Sequence, residues 1–245
     1  EPLKELGIGG SAVGTGINTH PQYQKKMVSF LSKVSGLDLI PSKNLFERMQ
    51  SMADFVEISG ALRELAVEMT RIANDLRLLS SGPRTGFAEI VLPPVQPGSS
   101  IMPGKVNPVM AEVTNMVCFH VIGNDQTVMM AAQAGQMELN VMMPVIAYNL
   151  LQSIEILTNT MNVFADRCVK GITANRERCQ ELADKSIGLA TILNPSIGYE
   201  AAASVAKEAT ATGKSLRQVV VERRILTRVE VEKVLDPARM TEPRE

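Results

Sequence analysis

Apolar residues recur along this chain at helical spacing, and three long stretches carry most of the pattern. From Leu45 onward they fall at Leu45, Met49, Met52 and Val56, then at Leu62, Leu65, Met69, Ile72, Leu76 and Leu79. Steps of three and four keep one face of a helix apolar. Read as one element, the seam is a rod of about 36 residues, or ~54 Å at ~1.5 Å per residue. A second helix is predicted from Asn107-Pro108 to about Ala132. Asn is a strong N-cap, and Pro is pre-set for the first helical position. A third is predicted from about Glu138 to Val169, stopping at Gly171, with Pro144 in its first turns, where its missing N–H costs least. A shorter helix before them runs from about Pro21 to Val34 and ends at Gly36, a favourable left-handed stop.

After Gly171 the pattern shortens. Helices are predicted at about 174–190, 198–212, 215–223 and 227–235, with breaks at Asn194-Pro195 and Gly213. The expected fold is all-α. A long-helix bundle occupies residues 1–170, and a small C-terminal helical domain occupies residues 171–245. Three amphipathic rods cannot bury their apolar faces alone, so further helices, from this chain or from other subunits, are expected against them.

Composition supports helices over sheets. The chain has 245 residues, no Trp, 4% aromatics and 14 Met, so its core is aliphatic and thioether-rich. The net charge of -1 gives no overall attraction to nucleic acid or to an acidic membrane, and no apolar run approaches the ~20 residues of a membrane span. Neither nucleic acid nor membrane is an expected partner. The three cysteines (Cys118, Cys168 and Cys179) lie in helical patterns without zinc-site spacing, which reads as structural thiols in a reducing, cytoplasmic setting.

Few segments carry chemistry. GIGGSA, residues 7–12, matches G-x-G-x-x-A but lacks the strand before it and the βαβ pattern after it. Gly98 to Lys105 misses the phosphate-loop spacing, and Val106 stands where Ser or Thr is needed. His20 precedes Pro21 at the start of a helix, and His120 is read as a packing residue in mid-helix. With two His and scattered Cys, no metal and no cofactor is expected. The exception is PGSSIMPGKVNP, residues 97–108. A Ser beside flexible Gly, a Lys six residues on and a helix start two later could form an anion site on the helix N-terminus. Spacing alone leaves a plain linker as the other reading.

These residues decide the matter by resemblance. GSSIMPGKVNP resembles the signature of the aspartase/fumarase superfamily, and GGSAVGTGIN, ANDLRLLSSGPR, VIGND and the C-terminal helices resemble it in the same order. The resemblance implies a homotetramer around a central bundle of long helices. It implies anti elimination of ammonia or water from a four-carbon dicarboxylate such as aspartate, giving fumarate. It makes Ser99 the base that takes the Cβ proton. Lys105 and Asn107 would hold the carboxylate that becomes an aci-carboxylate dianion, and Ser100 and Met102 would contact substrate as the loop closes. Glu112 would pair with an active-site His of another subunit. The family's Thr/Ser/Asn substrate region and Thr-His motif precede the stretch this chain matches, so the N-terminal half of the site is expected from the same or another chain.

Within the superfamily, ANDLRLLSSGPR, LNPSIGYEAAA and GKSLRQVVVERRILT are closer to the ammonia-releasing branch than to the fumarases, which typically read W-L-A-S-G-P-R and L-N-T-H-I-G-Y. Met143 matches neither the Glu of the first branch nor the basic residue of the second. Release of ammonia from L-aspartate is the leading expectation. Hydration of fumarate is the alternative, and a non-catalytic helical fragment is the second.

Overall fold

A computed structural model describes residues 2–98 and 101–236. Its contacts divide the chain into two units. One runs to Leu79 and resumes at Leu92–Ile172; the other takes Ser80–Val91 and the chain from Thr173 on. The fold is all-α apart from two-residue strands.

The first unit is organised by its longest helices. α1 (Tyr23–Ser35) closes at Gly36, whose φ of 71° lets its N–H reach the Ser32 carbonyl. Before it, His20 Nδ1 accepts the Gln22 N–H at 3.1 Å, so His20 serves the helix start. β1 (Glu5–Leu6) pairs in parallel with β2 (Ile40–Pro41). The single rod expected from Leu45 to Leu79 is corrected to two helices, α2 (Leu45–Gln50) and α3 (Ala53–Leu79). Ser51 turns to an extended conformation, with ψ of 130°, and its Oγ accepts the Ala53 N–H at 3.3 Å. Ser competes well for backbone donors at helix starts, so it ends one helix and caps the next.

α4 (Val109–Gln133) and α5 (Met143–Arg167) complete the layer. α4 packs extensively on α3 and on α5, while α3 and α5 meet only marginally. Being covered on two sides, α4 buries residues at short intervals, among them Ala111, Cys118, Val121 and Val128. On α3 the buried positions are Ser59, Ala66 and Ala73, seven residues apart. Small side chains there let the helix backbones approach closely, while Leu62 and Met69 fill the space beside them. The outer faces of α4 and α5 stay apolar: Met116, Phe119, Tyr148 and Leu151 are each more than half exposed.

α5 begins at Met143 rather than Glu138. The fully buried Asn140 takes the intervening turn. Its Nδ2 donates to the Ala131 and Ala132 carbonyls at the end of α4, and its Oδ1 accepts the Met142 N–H. Pro144 then falls in the first turn, as expected.

The second unit has its own core of Leu193, Val205, Val219, Val220, Val231 and Leu235. Its helices are α6 (Arg176–Lys185), α7 (Ala190–Ile197), α8 (Tyr199–Thr212), α9 (Leu216–Glu222) and α10 (Arg228–Val234). The break expected at Asn194-Pro195 is corrected: Pro195 lies inside α7, and the helix ends at Gly198. Packing of the fully buried Leu193 outweighs the one hydrogen bond that Pro removes from a two-turn helix. Ser215 and Thr227 each open a helix with a complete capping box. The segment before Leu92 belongs to this unit. β3 (Ile90–Val91) pairs antiparallel with β4 (Thr173–Ala174), and the Arg178 guanidinium donates to the Phe87 and Gly86 carbonyls.

Candidate active site

The stretch singled out in sequence leaves unit one's irregular segment at Gly98 and returns to helix at Val109. Its two ends meet. The Gly98 backbone lies so close to the Lys105 carbonyl that a Cβ at position 98 would overlap it. Only glycine permits that approach. The Asn107 side-chain amide donates to the Gly98 carbonyl and closes the same neck. The expected N-cap role of Asn107 is therefore corrected: Pro108 occupies the cap position, with no side-chain hydrogen bond, and the Asn107 side chain instead gives one amide N–H to the Gly98 carbonyl across the neck.

Beyond the neck, residues 101–106 face solvent. Ile101 is 83% exposed, and Met102 and Val106 are about half exposed. Gly104 turns the chain with φ of 80°, and the Lys105 N–H reaches the Met102 carbonyl at 3.2 Å. The Lys105 ammonium is exposed and has no ion-pair or hydrogen-bond partner among the described residues. Ser99 and Ser100, the expected base and its neighbour, lie outside the described residues. Glu112 sits in the first turn of α4, half buried. Its backbone N–H bonds the Pro108 carbonyl at 3.0 Å, but its carboxylate has no partner among the described residues. The foot of α4 is held by Leu92, Pro93, Val95, Arg167 and Cys168, which leave about 10 Å³ of free space around Asn107–Met110. An unpaired cation and an unpaired carboxylate thus stand within eight residues of a rigid helix start, whose free N–H groups and positive dipole end favour an anion.

The glycine-rich turn, residues 7–16, is a second built feature of the unit. The Gly16 N–H bonds the Gly10 carbonyl, and Ser11 Oγ donates to the Ile17 carbonyl at 2.8 Å. Gly14 has φ of 90°, and a Cβ there would lie 2.6 Å from Phe46 N and Cα. The turn is therefore a seat for the start of α2, consistent with its failure as a dinucleotide motif.

Apolar periodicity missed a set of polar residues inside the α3–α4–α5 layer. Buried Asp125 accepts from Ser59 Oγ at 2.7 Å and from the Arg63 guanidinium at 2.8 Å. Buried Asn115 donates to Asn74 Oδ1 at 2.6 Å. Buried Asn124 donates to Gln152 Oε1 and to Ser153 Oγ. His120, read as packing, is in fact exposed, and its Nε2 bonds Gln152 Oε1 at 3.0 Å. Burial pushes the Cys118 and Cys168 thiols up, which makes them inert packing groups. Among the described residues no group of three His, Cys, Asp or Glu could hold a metal ion, and no helix is long and apolar enough to cross a membrane.

The fold and this loop place the chain among known proteins. A lyase family matches residues 2–123, and a fumarase C C-terminus family matches residues 189–242. The chain belongs to the aspartase/fumarase superfamily. It is 50% identical over 241 residues to the aspartate ammonia-lyase of Bacillus subtilis (strain 168), covering 98% of this chain and 51% of that protein. Among solved structures, a fumarate lyase:delta crystallin protein from Brucella melitensis, bound to cobalt, superposes with a TM-score of 0.94 at 50% identity. That match covers 99% of this chain and 52% of the other. A class II fumarase from Schistosoma mansoni gives a TM-score of 0.93 at 38% identity, covering 100% of this chain and 54% of that one. The chain spans about half the length of the curated relatives it matches.

Proposed function

We propose that the chain supplies the C-terminal half of a lyase active site, which eliminates ammonia from L-aspartate to give fumarate. The observation that carries this reading is the loop whose neck is locked by Gly98, Lys105 and Asn107, and which leaves the Lys105 charge and the Glu112 carboxylate without partners among the described residues. The 50% identity to aspartate ammonia-lyase supports ammonia as the leaving group. Ser99, as its alkoxide, takes the proton from Cβ. The electron pair moves into the adjacent carboxylate, which becomes an aci-carboxylate dianion. Collapse of that dianion forms the C=C bond and expels ammonia from Cα. Lys105 and Asn107 face a charge that doubles during the step, so they stabilise the transition state more than the bound substrate. Ser100 and Met102 close over the substrate and exclude water, which strengthens those contacts. Glu112 pairs with a His outside this chain. The exposed apolar faces of α4 and α5 pack against other copies in a homotetramer, and the remaining substrate contacts come from the N-terminal half of the enzyme.

In the complete enzyme, Ser99→Ala is expected to cut turnover roughly 10²–10⁴-fold, the usual weight of a positioned base, with the tetramer intact by light scattering. Wild-type turnover in that variant would remove Ser99 from the chemistry. A parallel assay of fumarate formation from L-aspartate and from L-malate at equal concentration tests the leaving group. A site with buried partners for ammonium rejects a hydroxyl strongly. Faster use of L-malate would make the enzyme a fumarate hydratase with the same base and the same carboxylate holders.

A further inference from the structure

Asn115 is 4% exposed and stands one helical turn beyond Glu112 on α4. Its Nδ2 is used, donating to Asn74 Oδ1 on α3 at 2.6 Å. Its Oδ1 is buried and has no hydrogen-bond partner. A buried acceptor left unpaired costs stability, and a pair of apolar side chains would fill this helix seam without that cost. The seam uses that solution nearby, where Ala66, Cys118, Val121 and Leu157 pack together. Residues three apart on a helix have Cβ atoms about 5–6 Å apart, a span that one water molecule bridges. The Glu112 carboxylate has no partner among the described residues. α4 therefore carries a buried acceptor and, one turn before it, a carboxylate without a partner among the described residues.

We propose that Asn115 is a positioning residue for Glu112: its Oδ1 holds an ordered water that donates its other hydrogen to the Glu112 carboxylate and fixes the direction in which that carboxylate points. Asn74 has a separate role, clamping α4 to α3 through its bond to Asn115 Nδ2. This inference rests on the reading of Glu112 as a site residue and goes beyond it by naming what orients the group.

The test uses the complete enzyme, with kcat, KM and Tm measured for three variants. Asn115→Leu removes the acceptor and is expected to lower kcat roughly tenfold or more, the weight of one hydrogen bond to a charged group, with KM within about twofold. Asn74→Leu breaks the cross-helix bond but leaves the Asn115 acceptor, so Tm is expected to fall while kcat stays close to wild type. Glu112→Gln reports on the underlying reading. A silent Asn115→Leu beside an inactive Glu112→Gln would overturn the Asn115 role alone. A fully active Glu112→Gln would overturn the reading of Glu112 itself. Equal kcat losses in Asn115→Leu and Asn74→Leu would reduce Asn115 to a structural clamp. A high-resolution crystal structure of the wild-type enzyme gives an answer that does not depend on any variant folding: ordered density between Asn115 Oδ1 and the Glu112 carboxylate is expected, and its absence would refute the bridge.

Discussion

Asp125 offers the sharpest energetic test of the helix layer. Its side chain is 4% exposed, whereas Arg63, its only cationic partner among the described residues, is 47% exposed. The two ends of the pair are therefore unequal. Removing Arg63 strands a buried negative charge with Ser59 Oγ as its one remaining donor. Loss of one partner from a fully buried pair costs ~3–5 kcal/mol. The half-solvated guanidinium lowers that figure, since water screens the outer side of the pair, and Arg63→Met is expected to cost about 2–3 kcal/mol. Asp125→Asn removes the charge instead. The Ser59 bond survives, Arg63 turns to water, and the loss is expected to be about 1 kcal/mol. The double variant should recover most of the Arg63→Met deficit, because no charge is then left buried. Thermal unfolding at fixed protein concentration, needed because association shifts apparent stability, reads the difference. At about 2–4 °C per kcal/mol for a chain of this size, Arg63→Met should fall by roughly 4–12 °C and Asp125→Asn by less than half as much. An Arg63→Met variant no less stable than Asp125→Asn would mean that the carboxylate is not held in a dry environment, and the argument would fail.

Two further outcomes follow from single contacts. Gly14→Ala places a Cβ 2.6 Å from the Phe46 backbone at a φ of 90°, so a loss of at least ~1–2 kcal/mol from backbone strain alone is expected in denaturant titration, and wild-type stability would show that the seat of α2 is not tight. Glu181 is held down to about 2, first by the Lys185 hydrogen bond and then by Arg178; a depressed carboxylate stabilises the fold above its ordinary value near 4.5 and loses that contribution as pH falls toward 2, so Glu181→Gln should flatten the acid limb of a stability–pH curve between those values, and an unchanged limb, or one that wild type shows equally in high salt, would discount the cluster.

Much of the architecture was legible because burial in long helices leaves a periodic trace. The Gly36 stop, the span of α4, and Pro144 in the first turn of α5 all follow from spacing and backbone chemistry. The break at Ser51 did not follow, although the residues to find it were present. Met52 keeps the seven-residue phase of Ser59, Ala66 and Ala73, so the apolar seam runs on through a backbone that does not. The capping Ser51, with Asp54 three residues later, was the local signal. The polar set at Ser59, Asn115, Asn124 and Asp125 was invisible for a different reason. A count of apolar positions scores buried polar residues as gaps, and their partners lie on other helices, 25 to 66 residues away.

The loop shows where local reading stops. Its composition and spacing mark it, and the roles of Ser99, Lys105 and Asn107 come from resemblance, but what fixes its ends is long-range. A Gly/Pro segment left free would sample many conformations and spend binding energy on ordering itself. Here the overlap that forbids any side chain at Gly98, together with the Asn107 amide on the Gly98 carbonyl, joins residues 98 and 105–107 into one fixed point at the foot of α4. Beyond that point Ile101 and Met102 are exposed. That fixed point spares the start of α4 the ordering cost that a free loop would carry. Asn107, which by its place before Pro108 would be an ordinary cap, turns its side chain to this neck instead, and the start of α4 carries no side-chain cap.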